Sequence, residues 1–514
     1  MPFQEVEITA PQDLNVDISP YELPPTVWSS VTNATYDTSG TKRVMGATQV
    51  YPSPLPIQPI FAMPWNDGAG DTWLYADLAS IRKINSSGVS ATMASGLTAT
   101  FEKGWQGDVF NGVAVMNNGV DTPLYTDTAS TMVALPGWPA TQTAKVVRPF
   151  QNYLIALNIG SASAQNPSRI HWSDSADVGT VPADWDYADP ASRSGITDLA
   201  DTPGIIIDGK ALGNSFIVYK EDAVWSLTYV GGTYVFNLRK IFDDNNGILA
   251  EGCVATFEGK HFVLTKGDAY IHDGISKQSV MSNRVKKLLS SIDGTLYERT
   301  KVVADNNSKE IIIYYVTAND PTQTATEALT WNWETNTWGK RGLRGVSFIA
   351  EGAIDDSASD IWNNDTATWD SDTSLWNDQA GGVTNKKMLA VDYTNSKFLE
   401  LNRGTTWDGT SYVTTLERLG FDFGSDSTKK RVKAIFPHIS GSLGSTVNVE
   451  VGHEDPEFSG VTWEGPYPFR VGVDYKVDCR VYGRNLSIRF TSDDDTLWAL
   501  HGYSVQWKPT GGRR

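Results

Sequence analysis

Residues 108–116, DVFNGVAVM, place the dipeptide Asn111-Gly112 between two short apolar runs. Asn and Gly tolerate the positive φ that a two-residue hairpin turn requires. The stretch therefore predicts two antiparallel strands joined by a tight turn.

The same unit, a short strand, a polar turn and an apolar strand, recurs along the chain. Its other copies turn at Asn66–Asp71, Gln151-Asn152, Gly213-Asn214, Glu258–Lys260, Asn306–Lys309 and Thr394–Lys397. The first six copies are spaced roughly 40 to 60 residues apart, and a second hairpin often follows within a unit, as at Gly231-Gly232 and Glu334–Asn336. About four strands per period predict an all-β fold, a β-propeller of six to eight blades. A sandwich of many short strands is the alternative, but it lacks such a long-range period.

The last hundred residues have a different pattern. Runs such as TVNVEVGHE and NLSIRFTS alternate apolar and polar residues without any helical period. Six or more such strands between residues 413 and 508 predict a C-terminal β-sandwich-like domain.

These patterns divide the chain into five parts. Residues 1–50, rich in Pro, Thr and Ser, are expected to form an extended N-terminal arm with one or two strands, such as Lys42–Tyr51. The other parts are the propeller (51–352), a Trp/Asp-rich insertion (353–384), the last propeller strands (385–412) and the C-terminal β-sandwich domain (413–514). One helix is expected at Ser282–Asp293, capped by Ser282, with Val285, Leu288, Leu289 and Ile292 on one face.

The insertion carries three tryptophans seven residues apart, Trp362, Trp369 and Trp376. The intervening Asp, Asn, Thr and Ser are poor helix formers, which argues against a heptad helix. We expect a loop whose indoles dock on the body of the protein. The alternative is a partner-contact surface, because Trp is enriched at interface hot spots.

Composition restricts the classes of function. The 514-residue chain has a formal net charge of −18, so it gains no counterion-release affinity for DNA and should not bind nucleic acid. The plainer interpretation is that this charge only maintains solubility. Two distant cysteines, Cys253 and Cys479, form neither a disulfide framework nor a metal-ligand spacing. The N-terminus shows no signal-peptide pattern, and no run is long enough for membrane insertion.

Motifs for catalysis are absent from the sequence. The six histidines, His171, His261, His272, His438, His453 and His501, form no metal-binding pair. Neither Asp184/Asp186 nor Asp243/Asp244 is expected to face its partner across a sugar, as a glycosidase requires. The run Asp493–Asp495 lacks the alternation of a calcium loop. We therefore expect no enzyme activity, no metal and no cofactor.

Several strings taken together resemble the tail hub or nozzle proteins of short-tailed bacteriophages. They are RIHWSDSADVGTVPADWDYAD (Arg169–Asp189), LGNSFIVYKEDAVWSL (Leu212–Leu227), LTWNWETNTWGKR, LERLGFDFGSDSTKKRVKAIF (Leu416–Phe436) and GRNLSIRFTSDDDTLWALHGYSVQWKP (Gly483–Pro509). The resemblance is one of pattern and order over roughly residues 140 to 510.

The resemblance implies a virion structural protein. Members of that family are propellers with an added β-domain, and they form a homohexameric ring below the portal and its adaptor. The ring continues the DNA ejection channel and docks tail fibres, spikes or a plug. Assembly in the host bacterial cytoplasm, a place in the phage tail and passage of genomic DNA without specific binding are the expectations that follow.

Two other classes of function stay open at this stage. One is a carbohydrate-binding or glycoside-hydrolysing β-propeller, which should bring several acids and an arginine cluster together at one end. The other is a monomeric interaction propeller, which differs from the ring in its mass.

Overall fold

Strands dominate the computed structural model, which describes residues 2–510 except 69, 127–129, 162–163, 233, 245–246, 319, 354–385, 425–427 and 456–458. Regular structure in these ranges comprises β-strands and three 3₁₀ helices, Pro20–Glu22, Lys286–Ser291 and Tyr297–Arg299. The predicted all-β class is confirmed. Its basis is visible in the segment EIIIYY (Glu310–Tyr315), where β-branched and aromatic residues form a strand that is buried throughout.

The first fifty residues contribute five strands instead of the expected one or two. They are β1 (Gln4–Thr9), β2 (Ser30–Thr32), β3 (Ala34–Asp37), β4 (Gly40–Arg43) and β5 (Ala47–Gln49). β3 and β4 pair with each other as a local hairpin, and all five strands also pair with strands hundreds of residues away. The sequence pattern of the segment is weak because these distant pairings have no local signal.

Five separate antiparallel sheets of four strands follow, and the strands of each sheet are neighbours in chain order. We call them units 1 to 5. Unit 1 contains β6 (Phe61–Asn66), β7 (Asp71–Ala76), β8 (Ser80–Asn85) and β9 (Ser90–Ser95). Unit 2 contains β10 (Gln106–Phe110), β11 (Val113–Asn117), β12 (Leu124–Thr126) and β13 (Val133–Ala134), and unit 3 contains β14 (Gln142–Phe150), β15 (Tyr153–Ser161), β16 (Gln165–Trp172) and β17 (Gly195–Asp198). Unit 4 contains β18 (Ile206–Leu212), β19 (Ser215–Lys220), β20 (Val224–Tyr229) and β21 (Phe236–Phe242), and unit 5 contains β22 (Val254–Phe257), β23 (Lys260–Leu264), β24 (Ala269–His272) and β25 (Lys277–Ser279).

Two further four-stranded units share one long strand. The strands are β26 (Lys301–Asp305), β27 (Glu310–Tyr315), β28 (Ala325–Asn332), β29 (Thr337–Ala353), β30 (Lys386–Asp392) and β31 (Lys397–Leu401). The beginning of β29 pairs with β28 and completes unit 6, whereas its end pairs with β30 and begins unit 7. Unit 7 is completed by β31 and by β5 from the N-terminal segment.

All seven predicted hairpins are present, and six of them occupy equivalent positions in their units. Asn111 and Gly112 have φ values of 52° and 91°, as a two-residue turn with two positive φ angles requires. These six hairpins join the first and second strands of units 1 to 6. The hairpin near Thr394–Lys397 instead joins the second and third strands of unit 7. The prediction that it is a seventh copy of the same hairpin was therefore wrong. In unit 7 the first hairpin position is occupied by residues 354–385, because Ala353 pairs with Lys386.

The remaining strands build two sheets together with the N-terminal segment. They are β32 (Thr414–Phe421), β33 (Lys429–Gly441), β34 (Thr446–Glu454), β35 (Thr462–Arg470), β36 (Val477–Gly483), β37 (Asn485–Ser492) and β38 (Trp498–Thr510). One sheet has the order β2-β32-β37-β34-β35, and the other continues β3-β4-β38-β33-β36 with β1 along β38. One continuous hydrophobic core extends from units 4 to 6 into these two sheets. The predicted domain boundaries remain predictions.

The expected helix at Ser282–Asp293 is a shorter 3₁₀ helix, Lys286–Ser291, and Ser282 does not cap it. The carboxylate of Asp17 caps it instead, accepting hydrogen bonds from the backbone N–H groups of Lys286 (3.0 Å) and Lys287 (2.9 Å). The apolar face was identified correctly, since Val285 is buried and Leu288 and Leu289 pack against the core. A cap supplied from a distant segment cannot be found by local spacing.

Trp28 anchors the N-terminal segment between the two sheets formed by β1–β4 and β32–β38. Its side chain is 1% exposed, its Nε1 donates to Thr41 Oγ1 (3.0 Å), and its ring contacts Phe490 and Tyr503. We expect Trp28→Ala to lower the free energy of unfolding by about 3–5 kcal/mol, because it leaves a large cavity. Urea unfolding measures this change. The control Tyr234→Ala removes an aromatic ring that is 81% exposed and should change stability by less than about 0.5 kcal/mol.

Candidate functional site: a charged cavity lined by seven strands

A cavity of about 500 Å³ lies where the first strands of all seven units meet. Residues of β6, β10, β14, β18, β22, β26 and β29 contribute to its wall. We call it the central cavity. Its volume lies within the range of pockets that hold small molecules, roughly 300–1,000 Å³.

Six charged side chains line the central cavity. Side chains two residues apart on a strand share a face, so β18 directs both Asp208 and Lys210 inward. The complete set comprises three acids and three bases: Asp108, Asp208, Glu251, Arg148, Lys210 and Lys301. With all six ionised, the formal charge of the cavity lining is zero.

Four of the six groups form one connected network of ion pairs. Arg148 Nη2 donates to Asp208 Oδ1 (3.1 Å) and to Glu251 Oε1 (3.3 Å). Lys301 Nζ donates to Glu251 Oε2 (2.9 Å). Asp208 also accepts from the backbone N–H groups of Gly209 (2.7 Å) and Gly252 (2.9 Å). The network therefore ties units 3 to 6 together around the cavity.

The surroundings of Asp208 and Arg148 hold both groups in their charged forms. Burial opposes ionisation of Asp208, but Arg148 and the two backbone N–H donors outweigh it, and the pKa of Asp208 is lowered. Burial also disfavours the Arg148 cation, yet Asp208 and Glu251 raise its pKa above the usual value.

Asp108 and Lys210 have no ion-pair partner within 4 Å among the described residues. Asp108 Oδ1 accepts only from the N–H of its neighbour Val109 (2.9 Å), and Lys210 Nζ reaches the Val254 carbonyl at 3.4 Å. Burial raises the pKa of Asp108. Burial, together with the nearby positive charge of Arg148, lowers the pKa of Lys210. The cavity thus contains an acid and a base that are both shifted toward their neutral forms.

A smaller cavity of about 160 Å³ adjoins the central one and shares Trp105, Glu251 and Lys301 with it. Its wall includes Arg299, whose guanidinium carbon lies 4.3 Å from the centroid of the Phe101 ring. It adjoins the end of the central cavity that contains Glu251. The other end of the central cavity contains Asp108, which lies near the hairpin turn at Asn111.

Two of the histidines form a buried cluster with Tyr219. The Tyr219 hydroxyl lies 2.7 Å from His261 Nδ1 and 2.7 Å from His272 Nε2. Gly274 N donates to His272 Nδ1 (3.1 Å), and His261 Nε2 donates to the Ala211 carbonyl (2.9 Å). One proton arrangement satisfies the chain: His272 donates to Tyr219, and Tyr219 donates to His261. Both imidazoles are neutral, since burial lowers the pKa of His261 to about 3 and that of His272 to about 4.

His171 is packed in a similar way. It is 1% exposed, its Nε2 lies 3.0 Å from the Trp185 carbonyl, and its Nδ1 is in hydrogen-bond distance of Gln142. Burial lowers its pKa to about 4. These three histidines are thus packed and hydrogen-bonded in the interior. Among the described residues there is no cluster of His, Cys, Asp and Glu suited to a metal ion.

The carboxylates examined in the sequence do not converge on a site. Asp184 accepts from the N–H of Asp186 in an exposed loop, while the intervening Trp185 is buried against Trp138. Asp243 pairs with Lys240, and Asp244 pairs with Lys277. The predicted contact residues Trp362, Trp369 and Trp376 lie outside the described residues, so their role remains a prediction. No helix of the described chain has the length and apolar character needed to cross a membrane.

The six cavity residues were missed by the sequence analysis, although a signal for three of them exists. Asp108, Arg148 and Lys210 each stand three residues before a predicted hairpin turn, at Asn111, Gln151 and Gly213. A charge at one position of successive repeats indicates that this position faces a common space. The pairing among these charges has no sequence signal.

Comparison with known proteins gives little guidance. No family model and no curated protein matches the chain. Solved structures with partial similarity include a puromycin-hydrolyzing peptidase of Mycobacterium tuberculosis, with 10% sequence identity and a TM-score of 0.38 over 67% of this chain and 55% of the peptidase. The computationally designed Ika8 protein has 8% identity and a TM-score of 0.37 over 76% of this chain and 99% of its own. Apo AztD from Citrobacter koseri has 12% identity and a TM-score of 0.31 over 60% of this chain and 90% of its own. The chain thus spans about half the length of the peptidase. All three TM-scores lie below 0.5, so they support no statement about function.

We expect Asp208→Asn to lower the free energy of unfolding by about 3–5 kcal/mol, because it leaves Arg148 buried without its main counter-charge. Urea unfolding monitored by tryptophan fluorescence measures the change. The matched control is Asp198→Asn, which breaks the half-exposed Arg169–Asp198 pair (2.7 Å) and should cost less than about 1 kcal/mol. If the two substitutions lowered the free energy of unfolding equally, the Arg148 network would not stabilise the fold more than an exposed ion pair does, contrary to this assignment.

Acidification should destabilise the protein through its buried histidines. In the unfolded chain a histidine binds a proton below about pH 6.5, whereas these histidines stay neutral until pH 3 to 4 when folded. The stabilisation is therefore complete above pH 6.5 and is lost as the pH falls, by about 2 kcal/mol per histidine at pH 5. In His272→Gln the loss of unfolding free energy between about pH 7.5 and 5 should be smaller by that amount. The exposed His438→Gln is the control and should behave as the wild type.

Proposed function

We propose that the chain is a seven-bladed β-propeller with a β-sandwich domain, and that it serves as a tail nozzle or hub protein of a short-tailed bacteriophage. In this role it is a structural protein of the virion and has no catalytic activity. Six copies form a ring below the portal and its adaptor, and the ring docks fibres, spikes or a plug.

The observation that carries the proposal is the joint arrangement of the two domains. Seven four-stranded units in chain order contribute their first strands to one cavity, which is how blades surround a propeller axis. Unit 7 takes its last strand from the N-terminal segment, as in a propeller closed by its own terminus. The other terminal strands build a second all-β domain of two sheets. A propeller with an added β-domain is the architecture that the sequence resemblance implies.

Electrostatics supports a conduit that does not bind DNA. With a net charge of −18, the chain offers no excess of cations to release counterions from a phosphate backbone. The central cavity has the volume of a small-molecule pocket and is crossed by ion pairs, so DNA must pass elsewhere. In the proposed ring the DNA passes between subunits, along walls where carboxylates repel phosphate within a Debye length of about 8 Å.

The carbohydrate-hydrolysing alternative depends on the acids of the cavity. A glycosidase needs two carboxyl groups that face one sugar, one as acid and one as nucleophile or base. Asp208 and Glu251 are both ion-paired, so among the described residues Asp108 is the one acid of the cavity without an ion-pair partner. This distribution favours a non-enzymatic role.

The proposal is tested by measuring the mass of the assembly alone and with portal and adaptor proteins. We expect a species close to six times the 56.3 kDa chain mass, and electron microscopy of that species should show a six-fold ring. The lumen of the ring should carry net negative charge. A chain that stays monomeric even with portal and adaptor present, or a net basic lumen, would contradict the proposal.

A further inference from the structure

The central cavity contains two charged groups that its own structure leaves uncommitted. Asp108 and Lys210 both line the cavity, and neither belongs to the ion-pair network of Arg148, Asp208, Glu251 and Lys301. Asp108 is exposed to solvent and Lys210 is half-buried, so both groups can be reached from outside, and neither lies within 4 Å of an opposite charge among the described residues. Titratable groups of this kind in a cavity, with shifted pKa values, are candidates for a binding site.

We propose that the central cavity binds a small zwitterion of the α-amino acid class, held between Asp108 and Lys210. The carboxylate of Asp108 accepts hydrogen bonds from the ligand's ammonium group. The ammonium group of Lys210 donates to the ligand's carboxylate. This inference goes beyond the proposed tail function and does not depend on ring formation.

The charges of the cavity select this ligand class. A ligand with a single charge would pair with only one of the two groups and leave the other without an ion-pair partner. An amine and a carboxylate on one molecule satisfy both, and they restore the charged forms that burial disfavours at Asp108 and Lys210. A divalent cation is a poor candidate, because no metal-ligand cluster exists among the described residues.

The remaining wall suits the side chain of an amino acid. Phe61, Met63, Phe216 and Phe348 give the cavity an apolar surface next to its charged groups. Small-molecule sites typically combine such a surface with a few convergent polar groups. The volume of about 500 Å³ leaves room for an apolar or aromatic side chain.

The cavity has an entrance on the side of the proposed ligand. Asp108 and Ala211 line the cavity and are nevertheless exposed to solvent. Both lie close to the hairpin turns at Asn111 and Gly213, at the end of the first strands. A small solute can therefore reach Asp108 and Lys210 without opening a sheet.

Isothermal titration of the intact protein with each of the twenty free amino acids tests the proposal. D-Glucose and inorganic phosphate serve as a neutral and an anionic comparison. We expect at least one amino acid to bind with a dissociation constant below about 10 mM, and to bind more tightly than glucose or phosphate. Absence of binding by every amino acid, or binding of glucose or phosphate in preference to them, would overturn it.

Variants locate the site. Asp108→Asn and Lys210→Met should each weaken amino acid binding by about tenfold or more, because each removes a charge-assisted hydrogen bond. Both should fold, since neither substitution breaks an ion pair, and circular dichroism checks this. The controls Asp478→Asn and Lys476→Met make the same chemical changes at an exposed pair (2.7 Å) and should bind as the wild type. Unchanged affinity in folded Asp108→Asn and Lys210→Met would place the ligand elsewhere and refute the site.

Discussion

The antiparallel pairing of Ala47–Gln49 with Leu399–Leu401 is the constraint on which the rest of the structure depends. It makes a strand from the beginning of the chain the outermost strand of unit 7. The residues just before it, β1 to β4, are thereby held beside β32 and β38 and complete both C-terminal sheets. The pairing closes a loop of several hundred residues, whose entropy must be overcome before the contacts form. Folding of this chain is therefore dominated by non-local contacts, which generally makes folding slow.

The charged groups of the central cavity fall into two sets, one ion-paired and one not. The Arg148 network compensates its buried charges by direct pairing and by backbone N–H donors, and it connects four units at the point where they meet. Asp108 and Lys210 share that space with one backbone hydrogen bond each and without an ion-pair partner among the described residues. A cavity designed only for stability would pair all six charges or replace them with apolar residues. The four ion-paired groups therefore form a structural network, whereas Asp108 and Lys210 form the candidate binding site in the same cavity.

Unit 7 differs from the other units in ways that bear on the proposed assembly. Its first strand is the end of β29, which also completes unit 6, so the two units cannot separate without breaking one continuous strand. The pairing of its first two strands reaches Ala353 and Lys386, at the same end of the strands as the turns of units 1 to 6. In the proposed propeller, that end also carries the entrance to the central cavity.

The sequence by itself determined the features that depend on neighbouring residues. Strands, tight turns such as Asn111-Gly112, and the repeat of hairpins follow from local φ preferences and alternation, and units 1 to 6 contain them where predicted. Only the tertiary structure decided which distant segments pair. The N-terminal strands, the Asp17 cap on Lys286–Ser291, the Tyr219 histidine cluster and the ion pairs of Arg148 all join residues far apart in the chain. The physical reason is that φ preferences act between adjacent residues, whereas the pKa and pairing of a buried charge depend on burial and counter-charges that exist only after folding.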